Sequence, residues 1–178
     1  MAKRVWAADP AHSSIGFKVK HLMITNVSGT FGKYEINVET EEDDFMSAKV
    51  SFSADTASVN TGNAERDRHL RSPEFFDDHA YRYIRFEATK YESVDNDGSY
   101  ELHGNLTIRD VTKPVKLSVE FGGVVVDPWG NTKAGFTING KVNRKDFGLN
   151  WHAMTEAGGI MVSEDVRIVC EVQLIKQS

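Results

Sequence analysis

Alternation at every second residue is the feature that most restricts what this chain can fold into. Met46, Ala48, Val50, Phe52 and Ala54 are apolar, and Ser47, Lys49, Ser51 and Ser53 stand between them. A strand turns successive side chains to opposite faces, so this run predicts a half-buried strand with Met46 on its apolar face. The pattern returns along the chain. Ile15, Phe17 and Val19 share a face, as do Ile84, Phe86 and Ala88. Tyr100, Leu102, Gly104, Leu106 and Ile108 alternate with polar residues, His103 among them. Val115 to Phe121, Ala134 to Val142 and Val166 to Leu174 repeat it. From Val27 to Val38 the apolar parity changes between Phe31 and Tyr34, and Gly32 between them predicts a bulge. Acidic residues from Glu39 to Asp44, then Asp95–Gly98, Asp110–Lys113 and Asp127–Gly130, read as turns. About eight strands joined this briefly suit an antiparallel meander, and eight strands can close into a barrel. Such a barrel either fills with side chains or holds one small ligand. Small residues on the apolar faces, such as Ala48, Gly104 and Gly140, fit both outcomes.

One stretch breaks the alternation: GNAERDRHLRSPEFFDDHAY, Gly62 to Tyr81. Asn63 to Leu70 reads as a short helix. Ser72-Pro73-Glu74 reads as the start of a second, with an N-cap, a proline at the first position and an acid in the first turn. Phe75 and Phe76 are adjacent, so a helix would send them different ways, one sealing a barrel end and the other facing inward. Arg66, Arg68, His69 and Arg71 would ring that end with positive charge. Two readings stand: a lid with cationic donors at a mouth, or a plug closing an ordinary core with Arg66 and Asp67 tied to the rim.

The remaining chemistry narrows by exclusion. The chain has 178 residues, which suits one domain over residues 1–178, and its net charge of −5 draws it neither to nucleic acid nor to anionic lipid. Cys170 is the lone cysteine, so neither an intramolecular disulfide nor a cysteine-rich metal site is available, and a thiol in an apolar strand is usually inert. His12, His21, His69, His79, His103 and His152 show no tight metal-ligand spacing, and no metal or cofactor is expected. No GxSxG elbow or phosphate loop is present. Trp6, Trp129 and Trp151 lie apart and form no stacking platform. Asp67 and Asp77, both within the Gly62 to Tyr81 stretch, are the carboxylates that an acid–base mechanism with His69 would use, and both could equally cap helices or pair with Arg66 and Arg71. No apolar run is long enough to span a membrane. MAKRVWAADPAHS contains no apolar core of a signal peptide, so the expected compartment is the cytoplasm, or the periplasm where a leader has been removed.

Several blocks together resemble the YceI-like family of lipocalin-like, polyisoprenoid-binding proteins. The likeness begins with Trp6, Asp9, His12 and Ser13, then Phe17, Val19 and His21, then Gly29 and Phe31. Its most specific block is Arg66, Asp67, His69 to Pro73 and Phe75 to Asp77. Gly104 to Val115, then Arg144, Asp146, Phe147 and Gly148, and finally Gly159 to Ile168 follow in order. Two departures fall in turns: Arg82 follows Tyr81 where the family often has proline, and Asp110 stands where it often has glycine.

The resemblance implies an all-β, eight-stranded antiparallel barrel that holds a long amphiphile, such as a polyprenyl lipid, without catalysis. The expected tunnel wall is Phe17, Val19, Phe31, Val50, Phe52, Ile84, Phe86, Leu102, Leu106, Phe136 and Ile138, with Phe75 and Phe76 closing one end. His21, Arg66, His69, Arg71 and Arg144 are the candidates for a head group. A strand of about ten residues spans ~33 Å, and tilt reduces a barrel of such strands to ~25 Å. Ten buried methylene-sized groups contribute ~8 kcal/mol before ordering costs, enough for micromolar binding. The expected partner is therefore an amphiphilic lipid, and a homodimer is compatible with the sequence. The alternatives are a lipid-modifying enzyme using His69 with Asp67 or Asp77, and a filled barrel acting as an interaction module.

Overall fold

The structure is a computed structural model that describes residues 2–22, 24–149 and 162–177. Trp151 and His152, and the first part of the Gly159–Ile168 block, lie outside the described residues. The strands are β1 (Lys3–Ala8), β2 (Ser14–His21), β3 (Thr25–Phe31), β4 (Tyr34–Glu41), β5 (Asp44–Asp55), β6 (Val59–Asn60), β7 (Tyr83–Ser93), β8 (Ser99–Ile108), β9 (Val111–Val126), β10 (Thr132–Asn143) and β11 (Val162–Lys176), with helix α1 at Ala64–Arg71. Strands β1, β4, β5, β7, β8, β9, β10 and β11 form an antiparallel ring that closes where β11 meets β1. Strand β2 continues β1 along β11, β3 pairs with β2, and β6 with β3. The ring therefore consists of eight ribbons in meander order, three of them interrupted. Closure gives every strand of the ring a neighbour on each side, and the two-residue β6 pairs with β3 alone.

Each interruption has a local cause. Asp9 accepts the Ala11 N–H at 3.1 Å and caps a 3₁₀ turn at Pro10–His12. Asp55 accepts the Ala57 N–H at 2.9 Å above a similar turn at Thr56–Ser58. Side-chain caps of this kind offer the backbone an alternative to the ladder. Between β3 and β4, at Gly32, the chain leaves the ladder where the parity of the sequence changes. Further departures from the expected pattern lie at β5 and at the β8–β9 turn. Register shifts at Glu39/Glu41, opposite the start of β5, and Phe45 is buried while Met46 is half exposed. The expected inward Met46 is therefore wrong: the offset hands its place to Phe45. The turn expected over Asp110–Lys113 is tighter, with Arg109 in the left-handed region and β9 beginning at Val111.

The core has two halves. One gathers Phe31, Phe76, Ile84, Phe86, Leu106 and Phe147 beneath α1. The other gathers Trp6, Val38, Phe45, Cys170, Val172 and Leu174 at the opposite end. Trp6 is 1% exposed and donates its indole N–H to Thr40 Oγ1 at 3.0 Å.

Candidate functional site

The charge-rich insertion is legible once its hydrogen bonds are followed. Asn63 caps α1 by accepting the Arg66 N–H at 2.9 Å. Glu65 and Asp67 lie in the first turn, and Arg68, His69 and Arg71 in the last. That order opposes charge to each end of the helix dipole, which stabilises a helix too short to persist alone. Thr61 ties the helix to β6. Asp67 Oδ1 accepts the Thr61 N–H at 2.8 Å and its hydroxyl at 2.6 Å. Arg66 donates to Thr61 Oγ1 at 2.7 Å and to the Thr61 carbonyl at 2.8 Å. Both members of the Arg66–Asp67 pair thus hold one threonine.

No second helix follows. The Phe75 N–H bonds the Ser72 carbonyl at 3.0 Å and the Phe76 N–H reaches the Leu70 carbonyl at 2.9 Å, and the chain reverses at Asp77, φ +52°. These are successive turns, and that geometry removes the expected divergence of the two phenylalanines. Both Phe75 and Phe76 are buried, and Phe76 meets Phe31 edge-on at 5.7 Å.

Beneath them lies a cavity of about 430 Å³. Ligand sites commonly enclose about 300–1,000 Å³. Every wall residue expected from the sequence borders it: Phe17, Val19, Phe31, Val50, Phe52, Phe75, Phe76, Ile84, Phe86, Leu102, Leu106, Phe136 and Ile138. The inner glycines do not create this hollow. A Cβ on Gly29 would lie 2.4 Å from the Phe17 ring, one on Gly104 2.5 Å from Phe86, and one on Gly140 2.4 Å from Leu117. Each glycine seats a large neighbour.

Polar groups collect at the α1 end. His21, Arg66, His69 and Arg144 border the cavity there, with Lys20 and Thr61, which the sequence reading did not include. Arg71 does not border it. His69 pairs with Glu74 and meets the Phe75 ring edge-on at 5.0 Å. Arg144 is buried and donates to the carbonyls of Leu149 at 2.6 Å and Ser163 at 3.0 Å. Burial lowers its guanidinium pKa from the ordinary value. Its side chain thus pins the ends of the β10–β11 connection, and what it can offer a head group is charge more than free donors.

The wall also includes Phe45, Tyr91 and Leu149, which the alternation did not reveal, and Cys170, which lies on the alternating face of β11. Burial raises the Cys170 thiol pKa, in keeping with an inert packing role. Outside the barrel, His103 is half-buried, with Nε2 3.8 Å from Glu92. Among the described residues Glu92, Glu101 and His103 are the group with metal-ligand spacing. Lys90 pairs with Glu92, and Lys116 with Glu101 at 3.0 Å, so both carboxylates already have cations. No helix among the described residues is long and apolar enough to cross a membrane.

Residues 6–174 match the model of the YceI-like domain. The chain belongs to the YceI-like family. Among its relatives is a UPF0312 protein of Staphylococcus aureus, 36% identical over 160 residues that cover 89% of this chain and 90% of the relative. A UPF0312 protein of Serratia proteamaculans is 38% identical over 165 residues, 93% of this chain and 82% of that one. The crystal structure of the Campylobacter jejuni YceI protein matches with a TM-score of 0.77 at 34% identity, covering 89% of this chain and 90% of that one. A polyisoprenoid-binding domain from Saccharophagus degradans shares the fold at a TM-score of 0.64 and 14% identity, over 97% and 98% of the two chains. This YceI-like chain thus has the closed eight-ribbon barrel and short helix that its motifs implied.

Proposed function

We propose that the barrel holds the apolar chain of a single long amphiphile, with an isoprenoid chain as the first candidate, and carries or stores it without chemical change. The observation behind this reading is the apolar hollow with its polar groups at one end. A filled interaction module would leave no hollow of that size. A lipid-modifying enzyme would need an acid–base pair facing the cavity. Asp67 is instead tied to Thr61, and His69, though it borders the cavity, pairs with Glu74, which is exposed and does not border it. The Saccharophagus domain is named for polyisoprenoid binding, and its shared fold makes polyprenyl chains the natural probes.

The test is native mass spectrometry of protein purified from its host, followed by organic extraction and by titration with polyprenyl alcohols of increasing length. Stoichiometric cargo, or affinity that rises with chain length and then levels off, supports the reading. Phe52 borders the cavity on β5, opposite Phe86. Phe52→Asp would place a carboxylate against the apolar chain, at a cost of several kcal/mol unless it takes up a proton. A folded Phe52→Asp variant that binds as tightly as the parent would end the reading.

A further inference from the structure

The end of the cavity away from α1 is apolar with one exception. Strand β7 sends Ile84, Phe86 and Ala88 inward, then slips register between Ala88 and Lys90, so that Tyr91 pairs with Leu102 and takes an inner position. Its ring stacks on Tyr100 at a centroid distance of 4.8 Å and borders the cavity. Its hydroxyl is shut off from solvent and has no hydrogen-bond partner among the described residues. Thr61, at the mouth, is the other hydroxyl-bearing residue among the described lining residues. A buried donor without an acceptor is destabilising, and such groups are rare in folded proteins. A molecule bound against the ring is one source of such an acceptor, because Tyr91 borders the cavity.

That acceptor is uncharged. The described charged lining residues, Lys20, Arg66 and Arg144, all lie at the α1 end, together with His21 and His69. A carboxylate or phosphate beside Tyr91 would be left without a counter-ion in an apolar setting. We propose that Tyr91 is a specificity-determining residue, donating its hydroxyl hydrogen to a neutral oxygen, a carbonyl or ether, in the part of the ligand farthest from the mouth. This rests on the amphiphile reading and narrows it: the cargo carries oxygen at its inner end as well as, or in place of, a head group at the mouth.

The test compares wild type with Tyr91→Phe, which keeps the ring and its stacking. Two probes are used, a farnesyl methyl ketone and the hydrocarbon of the same skeleton, with a polyprenyl alcohol as reference. The ketone-to-hydrocarbon affinity ratio falls by about 3- to 10-fold in Tyr91→Phe, the effect of one hydrogen bond. The ligand-free variant melts at or above the wild-type temperature, since an unpaired hydroxyl has been removed. An unchanged ratio, with the reference alcohol still bound, overturns this assignment alone. A ligand-free variant that melts several degrees lower also overturns it, because the hydroxyl then serves the fold. If wild type binds neither probe nor the alcohol, the amphiphile reading falls and this one with it.

Discussion

Gly104→Ala tests the inward face of β8 with a single methyl group. The added Cβ would lie 2.5 Å from the Glu87 carbonyl oxygen and 2.5 Å from Phe86 Cζ. The ring can tilt away into the cavity, but the carbonyl belongs to the β7–β8 ladder and cannot. Overpacking of this kind costs ~1–3 kcal/mol, and a fixed backbone obstacle puts it near the upper end. Alanine returns ~0.4–1 kcal/mol by restricting the unfolded chain. The net loss is about 2 kcal/mol, or ~4–8 °C in melting temperature for a chain of this size. Gly135→Ala is the control: nothing lies within 4 Å of its would-be Cβ. That variant should melt at or slightly above the wild-type temperature. Thermal unfolding followed by circular dichroism measures both. The displaced Phe86 ring should also narrow the cavity and weaken binding of the longest polyprenyl alcohols. If Gly104→Ala melts within a degree of wild type, the close approach of β7 and β8 is wrong, and so is the seating of Phe86 on the glycine.

Two further predictions concern the ends of the barrel. Phe76→Ala removes a buried ring that borders the cavity and contacts Phe31, so it should cost about 3 kcal/mol and speed lipid release; stopped-flow displacement showing a destabilised variant with unchanged release would make the insertion a plug and not a lid. Hydrogen bonds from His12 and Lys133 hold the Asp9 carboxyl down at about 2, below the ~3.9 of an unfolded chain. Stability from a lowered carboxyl is present above the unfolded value and is lost as pH falls through the folded one. The urea midpoint gap between wild type and Asp9→Asn should therefore be widest near pH 7 and shrink between pH 4 and pH 2; a gap that stays constant would contradict the ion-paired Asp9.

How far the sequence could be read depended on whether a period ran unbroken. Strands β8 and β10 alternate from end to end, and Leu102, Leu106, Phe136 and Ile138 all face the cavity as their parity requires. Where a bulge intervenes, parity fails. Phe45 lies within one register shift and Tyr91 just after another, and nothing in single-residue preference marks an extra residue in one strand. The Ser72-Pro73-Glu74 signal was a sound helix start by local chemistry. Tertiary packing prevailed, because turns bury both Phe75 and Phe76 where a helix would bury one. Arg144 illustrates a different limit: its charge was visible, but its backbone partners Leu149 and Ser163 come from a connection that the sequence does not locate.

The placement of the family-like residues suggests why they accompany this architecture. A hollow forgoes the dispersion contacts that a filled core would supply, so the frame must resist collapse by other means. Trp6, Asp9, His12 and Ser13 lie at the barrel's closure. The Ser13 hydroxyl accepts the Gln173 N–H at 3.0 Å across to β11, and Asp9 binds Lys133 of β10 at 3.0 Å. Arg66 and Asp67 fasten α1 through Thr61, and Arg144 fastens the β10–β11 connection. These groups brace closures and ends, while the wall between them consists mostly of interchangeable apolar residues. Such a division lets the interior change girth and length with little loss of fold, since volume-conserving apolar exchanges cost under about 1.5 kcal/mol. It also explains why the most specific motif block reports the family more clearly than it reports the ligand. Of the wall positions, Phe17, Val19, Phe31, Phe75, Phe76 and Leu106 fall inside those motifs, whereas Phe52, Phe86, Tyr91 and Phe136 lie outside them.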